Sequence, residues 1–213
     1  DTGRIFNIAP NCVFTVTFFR GKPGHYLLPA KKIIGELIIK DIGIPASLLR
    51  QVNVKTYLNI PKMWKNKIPI PTYETHKYQR GHLLIAGDCR LIGAPKLSAI
   101  GARRIGAGLT TIAVPKDFIK VYQAGIFGDL LETISKIEDW QKLIKDNKKT
   151  AILVGPGLEK TPLTRELVIT ALNSKKPVIL DASGISSFEN MQLKLFSLTN
   201  ERHLLTPHEG EYE

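Results

Sequence analysis

The sequence predicts an α/β protein built on a parallel sheet with helices on both faces. Two observations carry this. From His82 onward, short apolar runs end at a glycine or a polar residue, the look of strands buried on both faces. Stretches of helical period separate those runs, which is the alternation a parallel sheet needs for its crossovers. The first 75 residues lack this regularity, so the chain reads as two regions.

In the first region, Cys12–Phe18 (CVFTVTF) reads as a strand, being rich in β-branched and aromatic residues. Gly21-Lys22-Pro23-Gly24 is turn chemistry, and a short turn is expected near Ala30–Ile34. Gly35–Ile44 (GELIIKDIGI) reads as a second strand. Residues 46–75 are punctuated by Pro61, Pro69 and Pro71 and read as a linker or entry segment.

The second region is regular. His82–Ala86 is an apolar run ending at Gly87, and Pro95–Ile105 is helical in period. Leu109–Val114 is a strand; Phe118–Tyr122 and Asp139–Ile144 are helix candidates. Thr150–Val154 is a buried strand ending at Gly155. Thr161 is a good N-cap and Pro162 a good first helical residue for a helix reaching about Asn173. Val178–Asp181 and His203–Leu205 complete the strands.

Composition narrows the function classes. Hydrophobic residues make up 43% and charged residues 23% of 213 residues, enough to bury a core. No apolar run approaches the roughly 20 residues of a bilayer span. The polar opening Asp1-Thr2-Gly3-Arg4 is no signal peptide, and without Met it need not be the true start. Cys12 and Cys89 have no CxxC spacing and read as reduced thiols of a cytoplasmic protein, with no zinc site. The formal charge of +11 comes from scattered lysines, densest at Lys62, Lys65 and Lys67 beside Trp64. This reads as a solvated surface, or as suited to a phosphate-rich small substrate, ahead of a nucleic-acid binder.

Several residues follow strands directly, where open parallel sheets bind ligands. Gly155-Pro156-Gly157-Leu158 could bring backbone close to a phosphate or sugar, or be a plain connection. The loop Gly87–Gly93 leads into a helix N-terminus, a natural anion site. It carries neither a Walker sequence nor GxGxxG. Gly106-Ala107-Gly108 reads as a helix C-cap and tight turn. Asp181 could hold a ribose hydroxyl or a metal, or cap a helix. His208, beside Glu209 and Glu211, could do acid–base work or simply lie on the surface. No GxSxG or HExxH is present.

Taken in order, these pieces resemble one family. His76-Lys77 and Arg80–Gly87 are similar to the opening of the ADP/ATP-dependent NAD(P)H-hydrate dehydratases, which have a ribokinase-like fold. Gly93-Ala94, Arg104–Thr111, Val154–Leu158, Val178–Ala182 and Leu205–Glu211 match its later motifs, over roughly His76 to Glu213. Asp1-Thr2-Gly3, Phe14–Phe18, Lys22-Pro23-Gly24 and Asp41–Pro45 resemble the closing strands of the NAD(P)H-hydrate epimerase domain. Glu209 stands where the family has Pro, Tyr78 where it has Gly, and Ser183 where it has a second Asp.

The resemblance implies an incomplete ribokinase-like three-layer αβα sheet, preceded by the last strands of a Rossmann-like epimerase domain. The implied boundaries are 1–45, a linker over 46–75, and a dehydratase domain over 76–213. The implied activity is ADP- or ATP-driven dehydration of hydrated NADH or NADPH, coupled in the whole protein to epimerisation. Gly93, Ala94, Gly155, Gly157 and His208 would touch the hydrated dinucleotide, with Asp181 supporting that wall. The catalytic groups, a Gly-Thr-Gly-Asp segment and the epimerase Asp, are expected outside residues 1–213, so this stretch alone would be inactive. Mg2+ would come with the nucleotide, K+ would belong to a complete epimerase domain, and a homo-oligomer is expected. Neither a nucleic acid nor a membrane is an expected partner. The alternatives are a ribokinase-like small-molecule kinase acting on a vitamin precursor and a non-catalytic nucleotide-binding fragment.

Overall fold

The computed structural model describes residues 2–125 and 128–212. The chain divides into two units, Asp1–Pro69 and Ile70–Glu213.

The N-terminal unit contains two parallel strands, β1 (Phe14–Phe18) and β2 (Glu36–Lys40), in register from Phe14 opposite Glu36 to Phe18 opposite Lys40. Turns at Pro23–His25 and Ala30–Lys32 make the crossover in place of a long helix. Gly35 is required before β2: its φ is +61°, and a Cβ there would collide with the carbonyl of Val13. Both strands are shorter than the sequence predicts. β1 starts at Phe14 rather than Cys12, and it ends at Phe18, where Phe19 takes a left-handed φ of 67°. β2 stops at Lys40 because the Asp41 side chain accepts the Gly43 N–H at 3.0 Å, an Asx turn that bends the chain away. A short helix, α1 (Leu48–Val52), follows and ends at Asn53 in the αL conformation.

The C-terminal unit holds a six-stranded, all-parallel sheet. Its strands are β3 (His82–Ala86), β4 (Leu109–Pro115), β5 (Leu130–Ile134), β6 (Ala151–Val154), β7 (Val178–Leu180) and β8 (His203–Leu205), in the order β5-β4-β3-β6-β7-β8. From β3 the chain winds outward through β4 and β5, then returns to place β6 on the other side of β3. The topological switch point therefore lies between β3 and β6.

Helices cover both faces, giving three layers. Alternate residues of one strand divide between them: Leu84 packs with Trp140, Val154, Val168 and Leu180, whereas Ile85 packs with Ala99, Ile112 and Tyr122. The first face is covered by α4 (Ile137–Lys145), α5 (Pro162–Leu172), α6 (Ser183–Ser186) and α7 (Gln192–Leu198). The second is covered by α2 (Gly93–Ile105) and α3 (Ile119–Gln123). A last short helix, α8, spans Glu209–Tyr212. Helix α5 begins as the sequence requires, with Thr161 Oγ1 accepting the Thr164 N–H at 3.2 Å and Pro162 in the first turn. Gly106 caps α2 with a φ of 121°. Asp181 lies just past β7 rather than within it. None of the described helices is long and apolar enough to cross a membrane.

Candidate functional site at the carboxyl edge of the sheet

Six parallel strands present all their carboxyl ends at one edge. In open α/β sheets the crevice that takes a ligand lies outside that edge, at the switch point. Two loops border that point here. The first leaves β3 at Gly87 and enters α2 at Gly93. The second is the Gly155–Leu158 turn after β6.

Backbone geometry brings these loops together. Gly157 has φ +78°, and a Cβ there would lie 2.5 Å from the Leu91 carbonyl, 2.9 Å from Pro95 Cδ and 3.4 Å from Ala94 Cβ. The turn therefore rests on the first residues of α2, so Gly93-Ala94 and Gly157 share one wall. Gly155 has φ +128°, and a Cβ there would overlap the Asp181 carbonyl. This turn is thus pressed between α2 and the end of β7, a fit only glycine allows.

Asp181 continues the wall toward β8, where its carboxylate accepts the Thr206 hydroxyl at 2.7 Å. Immediately after it, Ala182 has φ 45° and ψ −123°, in a turn closed by the Gly184 N–H on the Asp181 carbonyl at 2.9 Å. Such a backbone costs about 1–3 kcal/mol and persists where its surroundings over-determine it. Ser183 donates to the Leu158 carbonyl at 2.7 Å, tying this turn back to the Gly155–Leu158 loop. Gly93, Ala94, Gly157 and Asp181 are thus linked into one wall, with Gly155 buried within it.

His208 makes no hydrogen bond to that wall among the described residues. It is exposed, its Nδ1 accepts the Gly210 N–H at 3.1 Å, and its Nε2 lies 3.5 Å from Glu211 Oε1. The His208 N–H also donates to Glu211 at 3.1 Å. These bonds stay within residues 208–211.

Asp88 was not evident from motif reading. Its carboxylate accepts the Cys89 N–H at 2.7 Å and faces the Glu159 N–H at 3.5 Å, across the switch point. Its carbonyl accepts the hydroxyl of Tyr122 at 2.7 Å. Tyr122 is fully buried, and burial pushes its pKa up to about 12, so it stays a neutral donor. The available signal was an acidic residue directly after a strand-ending glycine. The hydrogen bond to Asp88 raises the Cys89 thiol pKa, which disfavours the nucleophilic thiolate. Cys12 and Cys89 are both free and exposed.

The opposite edge holds a different polar group. His82 is buried, its Nε2 pairs with Thr111 Oγ1 at 2.7 Å, and its Nδ1 has no partner among the described residues. Burial, then the nearby Lys149 charge, lower its pKa. Among the described residues no group of three or more His, Cys, Asp or Glu is placed to hold a metal ion.

The fold is shared first. A ribokinase-like superfamily protein from Enterococcus faecalis superposes with a TM-score of 0.58 at 24% identity, over 68% of this chain and 51% of that one. The family follows from sequence: a model of NAD(P)H-hydrate dehydratase matches residues 82–213, and the chain belongs to that family. The ADP/ATP-dependent NAD(P)H-hydrate dehydratase from Bacillus subtilis, co-crystallised with ATP and Mg2+, superposes with a TM-score of 0.52 at 28% identity, over 68% of this chain and 50% of that one. The bifunctional NAD(P)H-hydrate repair enzyme Nnr of Coxiella burnetii is 30% identical over 99% of this chain. That of Dictyoglomus turgidum is 29% identical over 99% of it. The chain spans 42% and 43% of the length of these two relatives.

Proposed function

We propose that the protein acts in the repair of hydrated NADH and NADPH, and that residues 76–213 supply the substrate-binding wall of an ADP- or ATP-dependent dehydratase. The observation that carries this is the meeting of Gly93-Ala94, Gly155, Gly157 and Asp181 at the switch point, inside the segment that matches the family. Close backbone there suits a dinucleotide, and the start of α2 offers the positive end of a helix dipole to its phosphates. Asp181, held by Thr206, supports the wall. His208, whose polar contacts lie within residues 208–211, would have to leave its own turn to reach substrate.

In the proposed reaction the terminal phosphoryl group of the nucleotide moves to the hydroxyl of the hydrated ring, and the hydroxyl proton goes to a general base. The carbon–oxygen bond then breaks, inorganic phosphate leaves, and loss of a ring proton restores the reduced nicotinamide. We place the base in a Gly-Thr-Gly-Asp segment of the dehydratase domain beyond residues 1–213. Mg2+ would come with the nucleotide and would offset the charge of its phosphates. Residues 1–45 are read as the closing strands of an epimerase domain, which when complete would use K+, and residues 46–75 as the linker. The whole protein is proposed to be a cytoplasmic homo-oligomer.

The test gives the full-length protein ATP or ADP and hydrated NADH and follows the near-ultraviolet absorbance of the reduced ring. Recovery with a nucleotide is expected; absence of recovery with both overturns the reading. Residues 1–213 alone should give no turnover, and measurable turnover would refute the placement of the base.

A further inference from the structure

Asp88 borders the switch point, yet the dehydratase wall as built above leaves it without a role. Its backbone is held from one helical layer. Gly87 leaves room for this: a Cβ there would stand 3.1 Å from the Tyr122 hydroxyl and 3.0 Å from the methyls of Ile112 and Val114. The Tyr122 hydroxyl therefore reaches past Gly87 and donates to the Asp88 carbonyl at 2.7 Å. Tyr122 is fully buried and packs with Ile85, Ala99 and Ile112 on the face covered by α2 and α3.

The Asp88 side chain reaches the other way. One carboxylate oxygen accepts the Cys89 N–H at 2.7 Å, which fixes the group on its own loop. The other faces the Glu159 N–H at 3.5 Å. Glu159 directly follows the Gly155–Leu158 turn. Its carbonyl accepts the hydroxyl of Thr164, a buried residue in the first turn of α5. The Leu158 carbonyl accepts the Ser183 hydroxyl of α6. Those two bonds come from the helices of the opposite face. Among the described residues, the Asp88–Glu159 contact is the one hydrogen bond that joins the β3–α2 loop to the loop after β6. Contacts thus run from Tyr122 through Asp88 and Glu159 to Thr164, from one helical layer to the other across the carboxyl edge of the sheet.

We propose that Asp88 is a positioning residue. It ties the β3–α2 loop to the exit of the Gly155–Leu158 turn, and so sets the spacing of the two loops against which the hydrated dinucleotide lies. The role rests on the dehydratase reading, and Asp88 acts through the wall rather than on the reacting atoms.

Two variants test it in the full-length protein. Asp88→Asn keeps the shape but has one acceptor oxygen in place of two, and the shorter Cys89 bond claims it. Tyr122→Phe keeps the buried ring and removes only the hydroxyl. Steady-state kinetics with hydrated NADH and ATP are measured beside hydrogen exchange at the Glu159 N–H. Asp88→Asn should raise KM for hydrated NADH about fivefold, since a contact at 3.5 Å is at the weak end of hydrogen bonds. Its kcat should stay within about twofold, because ground and transition states lean on the same wall. Exchange at Glu159 should quicken. Tyr122→Phe should move both readouts the same way and less. The double variant should raise KM by less than the product of the single effects, as members of one network do. A group that only stabilises the fold would lower the melting temperature and leave KM unchanged; that result overturns the proposal. A raised KM with unaltered Glu159 exchange and multiplicative effects also overturns it, by putting Asp88 on the substrate itself. If the wild type restores no reduced cofactor with either nucleotide, the dehydratase reading falls and exchange alone judges the tie. Faster Glu159 exchange in Asp88→Asn then upholds it, and unaltered exchange overturns it.

Discussion

The two units are held together by different means. Every buried hydrophobic residue among those described lies at Leu84 or beyond. In the N-terminal unit, Phe14, Val16 and Phe18 of β1 remain 58%, 44% and 55% exposed, although a parallel sheet is normally covered on both faces. Charge divides likewise, with a formal +8 in residues 1–69 and +3 in residues 70–213. A closed apolar core therefore organises one unit, whereas local turns and a single strand pair organise the other.

The strongest way to break that contrast is to truncate one large apolar side chain in each unit. Trp140 is fully buried and its indole N–H donates to the Leu167 carbonyl at 3.1 Å. Trp140→Ala should cost about 4 kcal/mol, since it leaves both a cavity and an unpaired carbonyl. Phe18→Ala removes a side chain more than half exposed and should cost under about 1 kcal/mol. Urea unfolding of both variants measures the difference. Equal losses would mean that the N-terminal unit has a core of its own.

A second contrast lies within the crevice. Gly155→Ala places a Cβ onto the Asp181 carbonyl at a φ of +128° and should cost about 3 kcal/mol. Gly93→Ala, in open space at the start of α2, should change stability by less than about 1 kcal/mol. Thermal melts of the pair would sharpen the assignment of the Gly155–Leu158 turn as a rigid wall. A tolerated Gly155→Ala would remove the reason for glycine there.

Much of the C-terminal unit was legible because its central strands are buried on both faces. Leu83–Ala86 of β3, Ile112–Val114 of β4 and Ala151–Val154 of β6 are apolar runs for that reason, and the cap at Thr161 is a local hydrogen bond written in adjacent residues. β5 was not legible: it is an edge strand, with Leu130 half exposed and Glu132 in its middle, so no apolar run marks it. α6 was missed because it follows the strained turn at Ala182, which depends on contacts with Gly155 and Leu158 made by the folded sheet. For the same reason the glycines of the crevice could be named from sequence but their partners could not. Gly157 meets Leu91 and Gly155 meets Asp181 only once β6 lies between β3 and β7. His208 shows the converse. A His among carboxylates looks like chemistry in sequence, yet its bonds close on Gly210 and Glu211.

The smallest effect concerns pH and again separates the units. His82 opens β3 with 4% of its surface exposed; it bonds Thr111 on one side, and the charged groups Lys149, Asp146 and Lys176 lie near it. Burial comes first and the Lys149 charge second in lowering its pKa below the ordinary 6.5, and burial lowers that of His203 as well. A base whose folded-state pKa is depressed binds fewer protons folded than unfolded. Stability is therefore full above pH 6.5 and declines as pH falls through 6.5 toward the folded-state value. Asp146 and Asp139 are held below 3.8, chiefly by the Lys149 side chain and the Ser135 N–H respectively, so their contributions are lost only at more acid pH. The urea midpoint of the C-terminal unit should thus drop between about pH 8 and about pH 5.5, in the histidine range. His82→Gln can keep the bond to Thr111 without acquiring a charge, and should make that drop smaller, leaving the part due to His203. An unchanged drop in His82→Gln would show that the proton goes elsewhere, and that the buried edge of the sheet is as tolerant of charge as the open N-terminal unit.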